Sequence, residues 1–124
     1  MFVKTPEQNV VIKEATRDWG SFVALIDYST DNYANRAIHI YANGYLTRYD
    51  RSHWQDQFGA LPDFRMGKHW LDKWGEPEEL SLDEFQILWK KAEDSPPYEQ
   101  RDPSPTTACL WVEKFKMGDW ISKA

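Results

Sequence analysis

Two short segments of the chain place histidine and aspartate at a spacing that could support chemistry. Residues 53–59 read His-Trp-Gln-Asp-Gln-Phe-Gly, and residues 69–75 read His-Trp-Leu-Asp-Lys-Trp-Gly. In each segment the histidine and the aspartate are three positions apart, which brings them to one face of a helical turn. A small metal-dependent hydrolase could use these four side chains to hold a divalent metal or as two acid–base pairs. The four residues are His53, Asp56, His69 and Asp72.

A structural interpretation of the same repeat needs fewer assumptions. Gly59 and Gly75 stand where a helical turn needs a left-handed residue, so each segment predicts a short turn that presses its aromatic residues onto a sheet. A metal site requires converging ligands with support around them, and spacing alone shows neither. We therefore expect no catalytic residues, no bound metal and no cofactor, with the metal-dependent hydrolase as an alternative.

The clearest element that could position these segments is a β-hairpin. Residues 37–50 form two alternating runs around Asn43 and Gly44, a pair that supplies two positive-φ residues for a two-residue type I′ turn. This turn predicts a register that pairs His39 with Arg48 on the solvated face of the sheet. The opposite face is more apolar and should be buried.

The second clear element is a helix over residues 82–93. Ser81 and Glu84 match a capping box, in which the serine side chain accepts a hydrogen bond from a backbone N–H of the first turn. Prolines from residue 96 onward predict the end of the helix. Apolar residues recur at three- and four-residue spacing and define a face that must pack against a sheet. These residues are Leu82, Phe85, Leu88, Trp89 and Ala92.

Together these elements predict one α+β domain over residues 1–124, a length that suits a single core. We expect an antiparallel β-sheet, covered on one face by the main helix and the short helical turns. Further strands are predicted at 10–12, 22–28 and 107–115. A proline-rich loop at 95–105 lies within the domain.

Composition excludes several classes of function. The chain has 15 Lys and Arg against 20 Asp and Glu, which argues against direct binding to nucleic acid and favours a basic partner. Cys109 is the one cysteine, so we expect no internal disulfide and a reducing, cytoplasmic location. The longest apolar run covers only residues 22–26, and the N-terminus has no signal-peptide pattern, so no membrane association is expected.

Two blocks resemble a family of small, uncharacterised bacterial domains. Residues 36–44, Arg-Ala-Ile-His-Ile-Tyr-Ala-Asn-Gly, are similar to its R-x-[IV]-x-[IV]-[YF]-x-[ND]-G hairpin. Residues 78–92, Glu-Glu-Leu-Ser-Leu-Asp-Glu-Phe-Gln-Ile-Leu-Trp-Lys-Lys-Ala, are similar to its E-E-[IL]-[ST]-x-x-E-F-x-x-[VIL]-W-x-[KR]-A helix. Domains of this kind resemble the acidic immunity proteins of polymorphic and contact-dependent growth inhibition toxins. The resemblance implies a non-enzymatic protein that neutralises a cognate basic toxin domain, a nuclease, by binding it. Residues 95–124 depart from the family pattern.

A partner-binding surface is expected where carboxylates and tryptophans are densest. Carboxylates speed encounter with a basic protein, and aromatic anchors supply most of the affinity. An adaptor that binds peptide or nucleic acid through exposed tryptophans is a further alternative. The residues predicted to bind the toxin domain are Trp70, Trp74, Glu76, Glu78, Glu79 and Asp83.

Overall fold

Five antiparallel strands form one sheet in the order β4-β3-β2-β1-β5. The computed structural model describes residues 1–30, 32–62 and 67–101, without the side chains of residues 68–70. The strands are β1 (Phe2–Lys4), β2 (Phe22–Tyr28), β3 (Ala34–Tyr41), β4 (Leu46–Asp50) and β5 (Glu78–Glu79). The α-helices are α1 (Lys68–Trp74) and α2 (Leu82–Glu93), and the 3₁₀ helices are Glu14–Trp19 and Pro96–Gln100. The predicted α+β class with an antiparallel sheet and one main helix is confirmed.

Both faces of the sheet are covered. Alternation along β3 sends Ala37 and Tyr41 to one face and Ile38 to the other. Ile38 packs with Phe85 of α2, whereas the opposite face packs against Trp74 at the end of α1 and neighbouring loop residues. We call these the α2 face and the loop face. The structure thus corrects one detail of the prediction, because the helical pieces are shared between the two faces instead of lying together on one.

The hairpin forms, but its register differs by one residue from the predicted one. Gly44 N donates to Tyr41 O at 2.9 Å, and Tyr41 N donates to Tyr45 O at 2.9 Å, so the loop has three residues. Among the turn residues only Gly44 has a positive φ, 92°, which fits a type I turn followed by a glycine bulge. His39 therefore pairs with Thr47, and the predicted pairing of His39 with Arg48 is wrong.

Replacing Gly44 with alanine is expected to lower the free energy of unfolding by about 1 kcal/mol, because an L side chain disfavours this positive φ. A Cβ at Gly44 would meet no atom within 4 Å, so backbone strain is the whole effect. The measurement is chemical denaturation. Gly44→Asn serves as the control and should lose less stability, because asparagine tolerates the left-handed region. An alanine variant as stable as the parent would contradict the bulged turn.

Helix α2 begins and ends as predicted. Ser81 Oγ accepts a hydrogen bond from Glu84 N at 3.1 Å and donates one to Glu84 Oε1 at 3.2 Å, which completes the capping interaction. Phe85 and Ala92 are fully buried. Leu82 was expected in the core but is 50% exposed, since the packed face of α2 begins at Phe85.

Other expectations fail where tertiary contacts decide the structure. Residues 10–12 form no strand, and β1 lies beside β2 in the sheet. The repeat at 69–75 contains the predicted helix, which ends at Gly75 with a φ of 90°. Its counterpart at 53–59 is not helical. The first part of the predicted proline-rich loop is the second 3₁₀ helix.

Two predictions fall outside the residues that the structure describes. These are the strand at 107–115 and the position of Cys109. None of the helices in the described ranges has the length and apolarity needed to cross a membrane.

Candidate functional site

The histidine–aspartate pair of the first repeat lies in a buried polar cluster centred on Asp56. The Asp56 side chain has no exposed surface, and Arg101 Nε lies 2.9 Å from its Oδ2. Tyr49 Oη donates a hydrogen bond to Asp56 Oδ1 at 3.0 Å, and His53 Nε2 lies 3.2 Å from Oδ2. The Asp56 cluster therefore joins β4, the 53–59 segment and the residue that follows the second 3₁₀ helix.

Backbone donors complete the surroundings of Asp56. Phe58 N and Gly59 N donate to its Oδ1 at 2.9 and 3.1 Å. Desolvation alone would raise the pKa of Asp56, but the contact with His53, the charge of Arg101 and these hydrogen bonds outweigh it and lower the pKa. The carboxylate is consequently ionised at neutral pH, and both of its oxygens are engaged by donors.

This arrangement is typical of a structural cluster. A general base or metal ligand needs a free lone pair directed at a reacting atom or ion, and the donors around Asp56 occupy those directions. Among the described residues, no group of three or more His, Cys, Asp or Glu side chains converges on a common point. Of the four alternative metal ligands, the structure brings together His53 and Asp56. Asp72 is exposed on α1, and the side chain of His69 is not among those that the structure describes.

His39 is a second buried polar residue on the loop face. It has no exposed surface, and neither ring nitrogen hydrogen-bonds to a described group. Its ring centroid lies 5.0 Å from that of Phe22 and 5.3 Å from that of Tyr49. Burial lowers the pKa of His39 to about 4, so the ring is neutral at pH 7. The sequence-based expectation of a solvated His39 is wrong, because the loop face of the sheet, on which His39 lies, is covered by other residues of the chain.

Three arginines are held internally against aromatic rings. Arg36 Cζ lies 4.8 Å from the Phe85 ring centroid, Arg48 Cζ lies 4.8 Å from that of Trp89, and Arg101 Cζ lies 5.2 Å from that of Tyr49. Ion pairs add to these contacts, since Arg36 Nε is 3.0 Å from Asp27 Oδ2 and Arg48 Nη2 is 3.6 Å from Glu93 Oε2. The guanidinium groups of three arginines are thus engaged in contacts within the fold.

Carboxylates, in contrast, are concentrated around β5 without ion-pair partners among the described residues. Glu76, Glu78, Glu79 and Asp83 are all exposed, as the sequence predicts for a binding surface. None of the four forms an ion pair with a described residue. Lys4 lies opposite Glu78 in the pairing of β1 with β5, but the two side chains form no ion pair. We call these four residues the β5 acidic surface.

Glu7 extends the β5 acidic surface, and sequence reasoning missed it. Glu7, Glu76 and Glu78 line one cleft of about 350 Å³ together with Lys4. Glu7 also accepts a hydrogen bond from the Ser21 hydroxyl. No local signal marks Glu7, because it reaches Glu76 only through the pairing of β1 with β5.

Trp74, one of the two tryptophans predicted as anchors, does not lie on this surface. Trp74 is only 7% exposed and belongs to the loop-face core. Its backbone carbonyl accepts a hydrogen bond from Gln8 Nε2 at 2.7 Å. The side chain of Trp70 is not among those that the structure describes. Four of the six predicted residues, all of them carboxylates, are therefore exposed in the stretch that contains β5 and the first turn of α2.

Comparison of the chain with protein-family models, with curated protein sequences and with solved structures gave no match. The α+β architecture and the β5 acidic surface therefore define the class of protein only as an acidic α+β domain.

Proposed function

We propose that this protein is an immunity-type inhibitor that binds a cognate basic toxin domain through the β5 acidic surface and blocks its activity. The observation that carries this proposal is the group of four exposed carboxylates at one sheet edge with no ion-pair partner among the described residues. A toxin nuclease must attract phosphates, so its active face is rich in Lys and Arg. An inhibitor that covers such a face gains from presenting carboxylates to it.

The distribution of charge strengthens this proposal. The formal net charge is −5, and the internal pairing of Arg36 and Arg48 with carboxylates and rings keeps these cations away from the β5 edge. Residues 71–84 carry six acidic residues and one lysine. A concentrated field of one sign steers an oppositely charged protein toward that surface and accelerates association.

The position of β5 at the edge of the sheet suits the same role. Within the described sheet β5 pairs only with β1, so its outer edge faces outward. Glu78 and Glu79 are its two residues, and carboxylates on an edge strand discourage pairing with another copy of the chain. The opposite edge is capped, because Ser95 Oγ accepts from Leu46 N at 2.9 Å and Arg101 Nη1 donates to Arg48 O at 2.9 Å. The exposed acidic edge is therefore the one that a basic protein can approach.

The geometry favours this function over the metal-dependent hydrolase. Asp56 is enclosed by Tyr49, Arg101 and two backbone N–H groups, and the cluster stabilises the fold by joining distant segments. Trp54 of the first repeat and Trp74 of the second line one cleft, but among the described residues Asp72 does not join His53 and Asp56 in a cluster of three ligands. We therefore propose a cytoplasmic inhibitor that acts by binding and uses no catalytic residue and no cofactor.

Reversal of three carboxylates tests the proposed function. The variant Glu76→Lys/Glu78→Lys/Glu79→Lys should associate at least about tenfold more slowly at low salt, because electrostatic steering is lost. The partner is the purified product of a toxin-like reading frame beside the gene of this protein. The measurement is association rate against ionic strength, and the rate of the variant should depend less on salt.

A matched variant separates a local surface from net charge. Asp18→Lys/Asp94→Lys/Glu99→Lys changes the net charge by the same amount at exposed positions elsewhere, and it should keep most of the association rate. Both variants should unfold within about 1 kcal/mol of the parent, as is usual for surface changes. Equal slowing of both variants would contradict a binding role for the β5 edge, and a parent protein that does not bind the toxin would overturn the proposed function.

A further inference from the structure

An apolar cleft lies near the β5 acidic surface, and it has no part in the contact with carboxylates proposed above. The cleft has a volume of about 470 Å³, which is within the range of pockets that hold small ligands or side chains. Its polar residues are Gln8, Gln55 and Lys73. The cleft is otherwise apolar and is lined by Val10, Ile12, Trp54, Leu61, Pro62 and Trp74.

The apolar cleft and the acidic cleft are lined by neighbouring residues of the same two segments. Gln8 and Trp74 line the apolar cleft, and the nearby Glu7 and Glu76 line the acidic one. These two segments are joined by the hydrogen bond from Gln8 Nε2 to Trp74 O at 2.7 Å. One partner could therefore contact both clefts.

We propose that the apolar cleft receives an apolar side chain of the basic toxin domain while a neighbouring Lys or Arg of that domain meets Glu76 and Glu78. This inference rests on the proposed function and adds the chemistry of the contact. Charge complementarity selects the occupant, because the three glutamates of the acidic cleft outnumber Lys4 and Lys73 in the two linings and favour a cationic partner. Two tryptophan rings in the lining supply the apolar area that commonly dominates binding energy.

The two clefts then have separable kinetic roles. Exposed carboxylates act mainly on the association rate, whereas a desolvated apolar contact acts on the dissociation rate. Val10 is 57% exposed while lining the cleft, and the adjacent Val11 is 48% exposed without lining it. This pair offers a variant and a control that change the same residue type without disturbing the core.

The test measures association and dissociation rates of the full chain with the purified toxin domain. Ala60→Phe should fill the cleft, and Val10→Asp should place a charge at its rim. Each should raise the dissociation rate at least about fivefold, while the association rate falls by less than about twofold. Val11→Asp should leave the dissociation rate within about twofold of the parent, like an ordinary surface change. Val10→Asp changes an exposed position and keeps the test independent of any effect of Ala60→Phe on folding.

The outcomes distinguish this inference from the proposed function. If the toxin domain binds and the lysine triple variant slows association, but neither cleft variant alters dissociation, the apolar contact is wrong and the proposed function stands. If the parent does not bind the toxin domain, both fail. If Val10→Asp converts a dimer of the free protein to a monomer in sedimentation experiments, the occupant is a second copy of this chain and the inference is overturned.

Discussion

Replacing Asp56 with alanine is expected to lower the free energy of unfolding by about 3–5 kcal/mol, the cost of removing one partner from a buried ion pair. The side chain of Arg101 is only 4% exposed, so the variant leaves its charge buried without a counterion. Phe58 N and Gly59 N lose their acceptor as well. Chemical denaturation at pH 7 measures the change, and a variant within about 1 kcal/mol of the parent would contradict the Asp56 cluster, since that is the level of a surface change.

Two further variants isolate the ion pair from the hydrogen bonds. Asp56→Asn keeps an acceptor for the two backbone N–H groups but removes the charge, so it should lose less stability than Asp56→Ala. In Asp56→Ala/Arg101→Leu no charge remains buried, so this double variant should be more stable than Asp56→Ala alone. Asp50→Ala is the comparison. The Asp50 carboxylate also accepts hydrogen bonds from two backbone N–H groups, those of Ser52 and His53, but its site is only partly buried. It should lose about 1 kcal/mol, the usual contribution of a hydrogen bond.

Elements specified by neighbouring residues could be predicted from the sequence. The Ser81 cap, the apolar face from Phe85 and the prolines from Pro96 define α2 within its own segment. Strand β2 is similarly local, because branched and aromatic residues dominate it. These features require no knowledge of what packs against them.

The hairpin register could not be predicted, because it depends on distant residues. Asn43 and Gly44 suit both a two-residue loop and a three-residue loop. The three-residue loop brings Tyr49 of β4 to the same face as His39 of β3. Gly59 approaches both side chains closely on that face. A Cβ at Gly59 would lie 2.8 Å from Tyr49 Oη, so this glycine serves close packing instead of ending a helical turn.

The carboxylates of the candidate site could be predicted from the sequence, but the clefts beside them could not. The carboxylates from Glu76 to Asp83 follow one another along the chain and remain exposed in the fold. The closeness of the two clefts instead depends on the contact of Gln8 with Trp74. Contacts between such distant segments follow from the strand order, and no periodicity in either segment indicates them.

Lowering the pH from 6.5 to 4 is expected to remove about 3 kcal/mol of stability through His39, because each pKa unit corresponds to about 1.4 kcal/mol. Burial lowers the pKa of His39 from 6.5 to about 4 in the folded protein. Between these values the unfolded chain binds the proton and the folded chain does not, so stability is full above pH 6.5 and falls as the pH decreases. Two charged groups act on the ring in opposite senses, since Asp56 raises its pKa and Arg101 lowers it.

His39→Phe is the matched control, because a phenyl ring can pack beside Phe22 and Tyr49 and cannot titrate. The measurement is the free energy of unfolding of both proteins across pH 4 to 7. The difference between the two curves should change by about 3 kcal/mol over this range. Asp56 contributes at lower pH, because its pKa is lowered from 3.8 and its stabilisation is lost only below that value. Parallel curves would show that His39 titrates alike in the folded and unfolded chains, and the burial of its ring on the loop face would be wrong.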